Sequence, residues 1–429
     1  MMIDVLLFTI FLVVGTYFGW EYAFSKKKFS LMYLMLFLWF ISIAIAQLHL
    51  SSYEKNWSSK FILLLALFFV LFSLSYQFVG RKVSEKIVIS DTVKLTRQKI
   101  PLIILWSLTF ISVVANFYIF TRFGTLPLFS SLPDKMRFII NREVFGLFEY
   151  ASLLPRLVIP FSFVYLLLLD NPSLKYKIAI WSNIFMGFLV LSFYSSRVVI
   201  VLPILLSYFA YLHIRKNTLN KKKIVASSVV ILLILMVISV SIPAFRNYIT
   251  YKDYYSDVDY TPFTHLADLA DADLPESLEW VVGLYLIPAF NLQSMMRATD
   301  YYSLDNYYYG AYSLSAFNSL FGTVGIPWFD VSIPWKQIFL PWWVTGTFLF
   351  SFWADFGWVG IILSALLLGA LLSSLYEYAT KKPSYFSVML ISYFSFVIIM
   401  SIYTNYMLRE EFYLDIVFIS VISYLMVKK

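Results

Sequence analysis

Apolar runs long enough to cross a membrane recur along the whole chain, separated by shorter polar stretches. A helix rises about 1.5 Å per residue, so about twenty residues are needed to cross roughly 30 Å of hydrocarbon. The pattern predicts an all-α fold, a polytopic transmembrane helix bundle of about eleven spans. The predicted spans are residues 3–23, 31–48, 61–79, 100–120, 151–169, 178–194, 198–213, 224–243, 357–378, 385–404 and 412–427.

Lysine clusters set the predicted orientation. The clusters at 26–28, 221–223, 381–382 and 428–429 fall on one side of the membrane if the N-terminus lies outside, and short cytoplasmic loops are the lysine-rich ones. Asp4 stands at the start of the first span, ahead of its apolar run, and the first lysine cluster follows the span, the reverse of a cleavable signal peptide. We therefore expect the N-terminus outside and the C-terminus in the cytoplasm.

Two outer segments are too long to be simple connections, residues 121–150 and 244–342, and long segments of this kind usually either carry function or are disordered. The second segment divides the chain into three parts, which are spans one to eight with the outer loop 121–150 (1–243), the long loop (244–342) and spans nine to eleven (343–429). Within the long loop, the apolar stretch Trp280–Met296 contains a glycine, a proline and an asparagine, and we expect a re-entrant or interfacial helix. The run Trp342–Trp353 is too short to cross, and Asp355 with Gly357 should separate it from the ninth span.

Composition excludes several kinds of chemistry. The chain has no cysteine, so it has no disulfide, thiol nucleophile or thiolate metal site. Its three histidines lack metal-ligand spacing, so we expect neither metal nor cofactor. The net charge of +8 lies mostly in lysines at cytoplasmic loop edges, which fits membrane topology better than nucleic-acid binding.

Arginine is distributed differently from lysine. Seven of the eleven arginines fall in segments predicted to lie outside, and Arg156 falls inside the fifth span. Spans six and seven are short and are joined at Arg197, which should hold this residue below the outer headgroups. A planar guanidinium is suited to gripping phosphate or carboxylate, and a charge at membrane depth is a functional candidate by default. The seven outer arginines are Arg122, Arg137, Arg142, Arg197, Arg246, Arg297 and Arg409.

A structural explanation competes with the functional one. The long loop alone carries eleven acidic residues that could pair with its arginines, whereas Arg156 and Arg197 have no acid nearby in sequence. Dense tyrosines at 248–260 and 301–312 form either an aromatic belt at the interface or a sugar-binding surface. If a sugar on such a surface is transferred to an acceptor hydroxyl, the reaction also needs a general base that takes the hydroxyl proton. The candidate bases are His265, Asp300, Asp355 and Glu149.

Three short segments resemble the Wzy-type oligosaccharide repeat-unit polymerases. They are the segment 124–130 (GTLPLFS) after span four, 195–197 (SSR) at the tight hairpin, and 346–348 (GTF) with 352–360 (FWADFGWVG) after the long loop. The number of spans and the position of the largest loop are also similar. The resemblance implies a metal-independent integral membrane glycosyltransferase of the bacterial cytoplasmic membrane, with its active site facing outward. Such an enzyme moves a growing chain from its undecaprenyl pyrophosphate to the non-reducing end of the next lipid-linked repeat unit.

On this interpretation, the donor pyrophosphate lies against Arg197, Arg142 and Arg156, and the other assigned residues have supporting roles. The assigned catalytic residues are Arg197, Arg142, Arg156, His265 and Asp300, and the assigned substrate-binding residues are Arg122, Arg246, Arg297, Arg409, Tyr301 and Tyr308. The partners would be the lipid-linked oligosaccharide donor and acceptor, membrane lipids and a chain-length-regulating co-polymerase. The alternatives are an O-antigen ligase-like glycosyltransferase, a lipid-linked oligosaccharide flippase or other transporter, and a structural membrane protein.

Overall fold

The computed structural model describes most of the chain. The described residues are 2–25, 27–86, 100–133, 135–136, 139–140, 146–169, 171–216, 218–250, 262–272, 274–315, 317–318, 331–340, 343 and 345–427. In these ranges the chain forms helices and loops, with a single isolated bridge between Ser51 and Ala272. The all-helical class is therefore confirmed.

The sixteen α-helices in the described ranges are numbered in chain order. They are α1 Met2–Phe24, α2 Leu31–Ala46, α3 Ser59–Lys86, α4 Ile100–Phe123, α5 Gly146–Ser152, α6 Pro155–Leu168, α7 Leu174–Ser192, α8 Arg197–Ile214, α9 Lys221–Thr250, α10 Pro262–Leu269, α11 Val282–Tyr301, α12 Ala311–Ser315, α13 Trp335–Ile338, α14 Leu349–Lys381, α15 Tyr385–Met400 and α16 Glu410–Val427. Short 3₁₀ helices occupy Pro127–Phe129, Glu276–Val281 and Tyr406–Leu408.

Each of the eleven predicted spans coincides with one of these helices. Among the described residues, eight helices are long and apolar enough to cross a membrane, which supports a polytopic membrane protein. The eight segments are Val5–Phe24, Ser59–Glu85, Ile100–Phe123, Phe148–Leu168, Leu174–Ser192, Arg197–Ile214, Lys221–Arg246 and Leu349–Lys381. The helices α2 and α15 are apolar but have only 16 residues each, and α16 carries three acids in 18 residues. The count of eleven and the orientation stay predictions.

The chain folds into two compact units, each assembled from segments that are distant in sequence. Unit 1 comprises 1–89, 266–382 and 394–414, and unit 2 comprises 90–265, 383–393 and 415–429. The predicted division into spans one to eight, the long loop and spans nine to eleven follows the order of the chain instead, and it stays a prediction.

Unit 1 is built around the pair α3 and α14, which small residues allow to approach closely. A Cβ added at Gly369 would lie 2.6 Å from the carbonyl oxygen of Phe72. The hydroxyl of Ser373 donates to the carbonyl oxygen of Tyr76 at 2.6 Å. Small residues and interhelical hydrogen bonds are the means by which helices associate in lipid, where apolar burial gives little driving force.

Helix α14 is interrupted where the sequence predicted a break. Gly357 has φ 54° and ψ −130°, a left-handed conformation that suits glycine. The half-helix before it begins at Leu349, inside the predicted short run Trp342–Trp353, and the helix after the break begins at residue 357, where the ninth span was predicted to start. Asp355, just before the break, is fully buried.

The stretch predicted as re-entrant is also helical. Helix α11 begins at Val282, contains Pro288, and is buried on nearly all sides as far as Thr299. It is not among the eight span candidates. A helix that lies at membrane depth without crossing must be surrounded by protein, and the burial of α11 meets that requirement. Whether it enters the membrane from one side stays a prediction.

A polar network holds three helices of unit 2 together. Asn183 of α7 donates to the hydroxyl of Thr109 of α4 at 3.0 Å and accepts from Ser162 of α6, also at 3.0 Å. All three side chains are buried, so each hydrogen bond satisfies a group that would otherwise be unpaired in an apolar interior.

Candidate functional site

In unit 2, α7 ends and α6 and α8 begin close together, and the segment that follows α4 lies against the end of α7. The segment after α4 contacts the end of α7, because the N–H of Leu128 donates to the carbonyl oxygen of Phe193 at 3.0 Å. The hydroxyl of Ser112 on α4 donates to the carbonyl oxygen of Ser152 at 2.6 Å, just before α6. Three of the assigned residues, Arg122, Arg156 and Arg197, belong to these helix ends.

Arg156 forms a buried ion pair with Asp415. Its Nη2 and Nε atoms lie 2.9 Å and 3.2 Å from Oδ1 of Asp415, and the two residues are only 4% and 0% exposed. The hydroxyls of Tyr150 and Tyr393 donate to the two carboxylate oxygens at 2.7 Å and 2.8 Å. The guanidinium also lies over the Tyr150 ring, 4.9 Å from its centre. Both charges are therefore compensated inside the protein.

This pair changes the interpretation of Arg156. The sequence offered no acid near it, but the fold supplies one from α16, 259 positions later. A buried pair with additional hydrogen bonds explains a charge at membrane depth without any ligand. The assigned role of Arg156 as a pyrophosphate contact stays a prediction.

Arg197 lies in a different environment. It is the first residue of α8, after a turn in which Ser195 has φ 49° and in which Ser195 and Ser196 are buried. Its side chain is partly buried. Among the described residues, no ion pair or hydrogen bond engages its guanidinium, and the helix has no side-chain N-cap hydrogen bond at Ser196.

Electrostatics make this position unusual. The N-terminus of a helix carries a partial positive charge and unpaired N–H groups, so it disfavours a cation and attracts an anion. Arg197 adds a full positive charge to the start of α8. An anionic ligand would compensate the guanidinium and the helix terminus together, as phosphate groups do at other helix N-termini.

The remaining arginines assigned within unit 2 are less informative. Arg122 is exposed at the end of α4, with Nη1 3.4 Å from the hydroxyl of Tyr118 and the guanidinium 5.5 Å from the centre of the Phe123 ring. Arg246 is partly buried near the end of α9, which extends seven residues beyond the predicted span. Arg142 lies outside the described residues.

In unit 1, two of the assigned residues hold the loop 47–58, between α2 and α3. Arg297 donates through Nη2 to the carbonyl oxygen of Tyr53 at 3.0 Å. Asp300 is exposed and accepts from the hydroxyl of Ser58 at 3.3 Å. Gln293, one turn before Arg297, accepts from the N–H of Lys55 at 3.2 Å and donates to its carbonyl oxygen at 2.7 Å. These side chains fasten the loop to α11, and the assigned roles of Arg297 and Asp300 stay predictions.

The assigned tyrosines belong to an aromatic cluster of unit 1. Tyr301 is exposed, and Tyr308 donates from its hydroxyl to the carbonyl oxygen of Ser332 at 2.6 Å. The rings of Tyr302 and Tyr308 lie 5.6 Å apart, and those of Tyr308 and Tyr312 are stacked at 6.1 Å. Two hydroxyls in this cluster therefore already have protein partners, since Tyr302 donates to Tyr308 at 3.3 Å.

Three other assigned or candidate residues are Arg409, His265 and Asp355. Arg409 is exposed and lies over the Tyr406 ring, 5.8 Å from its centre. His265 lies in α10, but its side chain is outside the described part of the structure. Asp355 accepts from the backbone N–H groups of residues 310, 312 and 313 at 3.1, 3.0 and 3.0 Å, and from the Ser313 hydroxyl at 2.5 Å. These bonds hold the start of α12, and the candidacy of Asp355 as a general base stays a prediction.

The sequence did not single out another buried acid, Glu54. Its Oε2 accepts from the hydroxyl of Tyr285 and from the N–H of Ser51, whereas its Oε1 is buried and has no hydrogen-bond partner among the described residues. Burial raises the pKa of Glu54 to about 7, and the two hydrogen bonds oppose that rise. The only signal in the sequence was that Glu54 stands next to Lys55 in a short loop, and such a pair of charges is usually exposed to solvent.

Within the part of the chain that the structure describes, no group of three or more acidic or histidine side chains is placed to hold a metal ion. Comparisons with protein-family models, with curated proteins and with solved structures give no match to this chain.

Proposed function

We propose that the protein is an integral membrane glycosyltransferase that polymerises undecaprenyl-pyrophosphate-linked oligosaccharide repeat units on the outer face of the cytoplasmic membrane. The hydroxyl at the non-reducing end of the incoming unit bonds to the anomeric carbon of the growing chain. The bond from that carbon to the pyrophosphate breaks, the lipid pyrophosphate leaves, and the hydroxyl proton passes to a base. The function rests on the resemblance of short segments to repeat-unit polymerases and on the environment of Arg197.

The environment of Arg197 is the observation that carries the proposal. A partly buried guanidinium at a helix N-terminus, with no acid against it among the described residues, favours an anionic ligand over an internal partner. A pyrophosphate on a lipid is an anion that reaches the depth predicted for this hairpin, below the outer headgroups. Its negative charge grows as the glycosidic bond breaks, so a fixed positive charge lowers the barrier and not only the dissociation constant.

The test is substitution of Arg197 in purified protein supplied with lipid-linked repeat unit from the host membrane. Arg197→Lys keeps the charge but loses the planar fork, and turnover should fall by about 10²-fold, as when one oxyanion donor is removed. Arg197→Ala should reduce turnover further. The readout is the ladder of chain lengths on a gel, together with binding of undecaprenyl pyrophosphate by native mass spectrometry.

Arg215 provides a matched control. It is an exposed arginine at the opposite end of the same helix, α8, so Arg215→Ala changes the same net charge outside the proposed site. This variant should polymerise at close to the wild-type rate. Wild-type polymerisation by Arg197→Ala would mean that the hairpin arginine does not hold the donor. Transfer of the lipid-linked chain to a different acceptor, with no ladder, would identify a ligase instead.

A further inference from the structure

The turn that carries Arg197 contains a residue in a backbone conformation that side chains disfavour. Residues 193–196 join α7 to α8, and Ser195 among them has φ 49°. This left-handed conformation is uncommon for residues other than glycine and persists only where surrounding contacts impose it. Arg197 begins α8 directly after the turn. The contacts that hold Ser195 in this conformation therefore also set the start of α8, from which the guanidinium extends.

Two consecutive side chains attach the turn to other segments of unit 2. Phe193 packs against the apolar cluster that includes Leu126 and Met136, in the segment after α4. The hydroxyl of Tyr194 is hydrogen-bonded to the hydroxyl of Ser152, which stands at the end of α5. Tyr194 is 5% exposed and Ser152 is fully buried, so water does not compete for this bond.

Ser152 is itself held in place by several hydrogen bonds. Its carbonyl oxygen accepts from the hydroxyl of Ser112 at 2.6 Å and from Nδ2 of Asn116 at 3.2 Å, both on α4. Its hydroxyl donates to the carbonyl oxygen of Glu149 at 2.5 Å. A serine hydroxyl has a single hydrogen, so the hydroxyl of Tyr194 is the donor in the bond between them. Tyr194 thus ties the α7–α8 turn to a fixed point on α4 and α5.

We propose that Tyr194 is a positioning residue: by donating to Ser152 it holds the turn so that Arg197 lies against the pyrophosphate that leaves the growing chain. This role rests on the proposed function. Tyr194 is buried and acts through Arg197 rather than on the substrate. Phe193 still holds the turn without the hydroxyl, so we expect a loss of about 10-fold in rate, below the roughly 10²-fold that a full misplacement of about 1 Å costs.

Polymerisation by the purified full-length protein, supplied with lipid-linked repeat unit, is the first measurement. Tyr194→Phe keeps the packed ring and removes only the hydroxyl, and turnover should fall about 10-fold. Ser152→Ala removes the acceptor of the same hydrogen bond and should cause a similar loss. The variant with both substitutions should lose no more than either alone, because each single substitution already breaks the bond.

A second pair of hydroxyls in unit 2 gives a matched control. The hydroxyl oxygens of Tyr208 on α8 and Ser228 on α9 lie 2.6 Å apart, and the Ser228 hydroxyl also donates to the carbonyl oxygen of Ile224. Tyr208 lies on the same helix as Arg197 but roughly 16 Å further along it, at about 1.5 Å per residue. Tyr208→Phe and Ser228→Ala therefore remove the same groups far from the turn, and both variants should polymerise at close to the wild-type rate.

A double-variant cycle separates positioning from a general effect on the fold. Arg197→Lys already loses the planar contact that Tyr194 positions. In that background, Tyr194→Phe should lower turnover by less than about 3-fold more, since coupled residues have non-additive effects. A further fall of about 10-fold would show that Tyr194 acts independently of Arg197, and it would overturn the proposal.

Comparison of two single variants separates the positioning role from the donor site. Wild-type turnover by Tyr194→Phe, beside an inactive Arg197→Ala, would reject the positioning role and leave the donor site standing. Wild-type turnover by Arg197→Ala would reject the donor site, and the role of Tyr194 with it.

Amide hydrogen exchange follows the turn without an assay of activity. The backbone N–H groups of residues 193–195 donate to carbonyl oxygens at the end of α7. Their exchange should be faster in Tyr194→Phe than in the wild type and unchanged in Tyr208→Phe, because local opening exposes them. Equal exchange in Tyr194→Phe and the wild type would overturn the proposal, since the hydroxyl would then not hold the turn.

Discussion

Two helices of unit 2, α6 and α8, each begin with an arginine in the first turn, and the two arginines differ in every other respect. Arg156 is buried against Asp415, whose carboxylate also accepts from two tyrosine hydroxyls. Arg197 is partly exposed, and among the described residues no acid lies against it. Both positions disfavour a cation electrostatically. The fold compensates the first charge and leaves the second available to an anion, so an arginine in the first turn of a helix has a structural partner in one case and a candidate binding role in the other.

Removing Asp415 should have the largest effect on stability. Asp415→Ala leaves the Arg156 guanidinium buried and unpaired, so the free energy of unfolding should fall by about 3–5 kcal/mol. Thermal unfolding in detergent measures the change, and Asp305→Ala, which removes an exposed carboxylate, is the control. The double variant Arg156→Met with Asp415→Leu should recover most of the loss, because neither charge is then left alone.

The double variant also sharpens the comparison. If it is stable and polymerises normally, Arg156 is purely structural. If it is stable but inactive, Arg156 contacts the donor pyrophosphate in addition to pairing with Asp415. An unchanged unfolding temperature for Asp415→Ala would show that the pair does not support the fold.

Asp355 adds a third charge to the comparison, a buried carboxylate of unit 1 whose two oxygens both accept hydrogen bonds. Asp355→Ala removes the acceptor for three backbone N–H groups and one hydroxyl. The unfolding free energy should fall by at least about 1–3 kcal/mol, the cost of leaving one buried donor unpaired. Asp305→Ala again serves as the control. If instead Asp355→Ala keeps wild-type stability but loses all activity, Asp355 is the base that the sequence allowed it to be.

The sequence predicted the helices well and the charge pairs poorly. Apolar runs locate spans because hydrocarbon thickness sets their length, and Asp355 with Gly357 located the break in α14 because glycine adopts the left-handed conformation found there. Boundaries failed where helices continue beyond the apolar region, as α3 does to Lys86. The partner of Arg156 could not be predicted from neighbouring residues, because Asp415 reaches it only through the packing of α16. The available signal in the sequence was that Asp415 is the single acidic residue inside the last apolar run, 412–427.

Glu54 tests an acid that is only partly compensated. Burial raises its pKa to about 7, whereas an unfolded glutamate has a pKa of about 4.3. Between these values the folded protein binds more protons than the unfolded chain, so this residue's contribution to stability is lost as the pH rises from about 4.3 to about 7. Glu54→Gln should flatten the dependence of unfolding temperature on pH in this window. Glu85→Gln, at an exposed position of α3, should leave it unchanged, and an unaltered slope in Glu54→Gln would mean that Glu54 is ionised throughout.

The smallest expected effect is on the stability of the Arg197 variants, and its sign matters more than its size. Because no described residue pairs with the guanidinium, Arg197→Ala removes a cation from the positive end of α8 and should leave the unfolding free energy unchanged or raise it by about 0.3–1 kcal/mol. Arg215→Ala removes a cation from the negative end of the same helix, where a cation is favourable, and should lower it by a similar amount. Opposite signs for the two variants, measured at low ionic strength, combined with loss of polymerisation in Arg197→Ala alone, would separate a binding arginine from a structural one. A loss of more than about 2 kcal/mol in Arg197→Ala would place Arg197 with Arg156, as a residue that the fold itself requires, since breaking a buried pair costs about 3–5 kcal/mol.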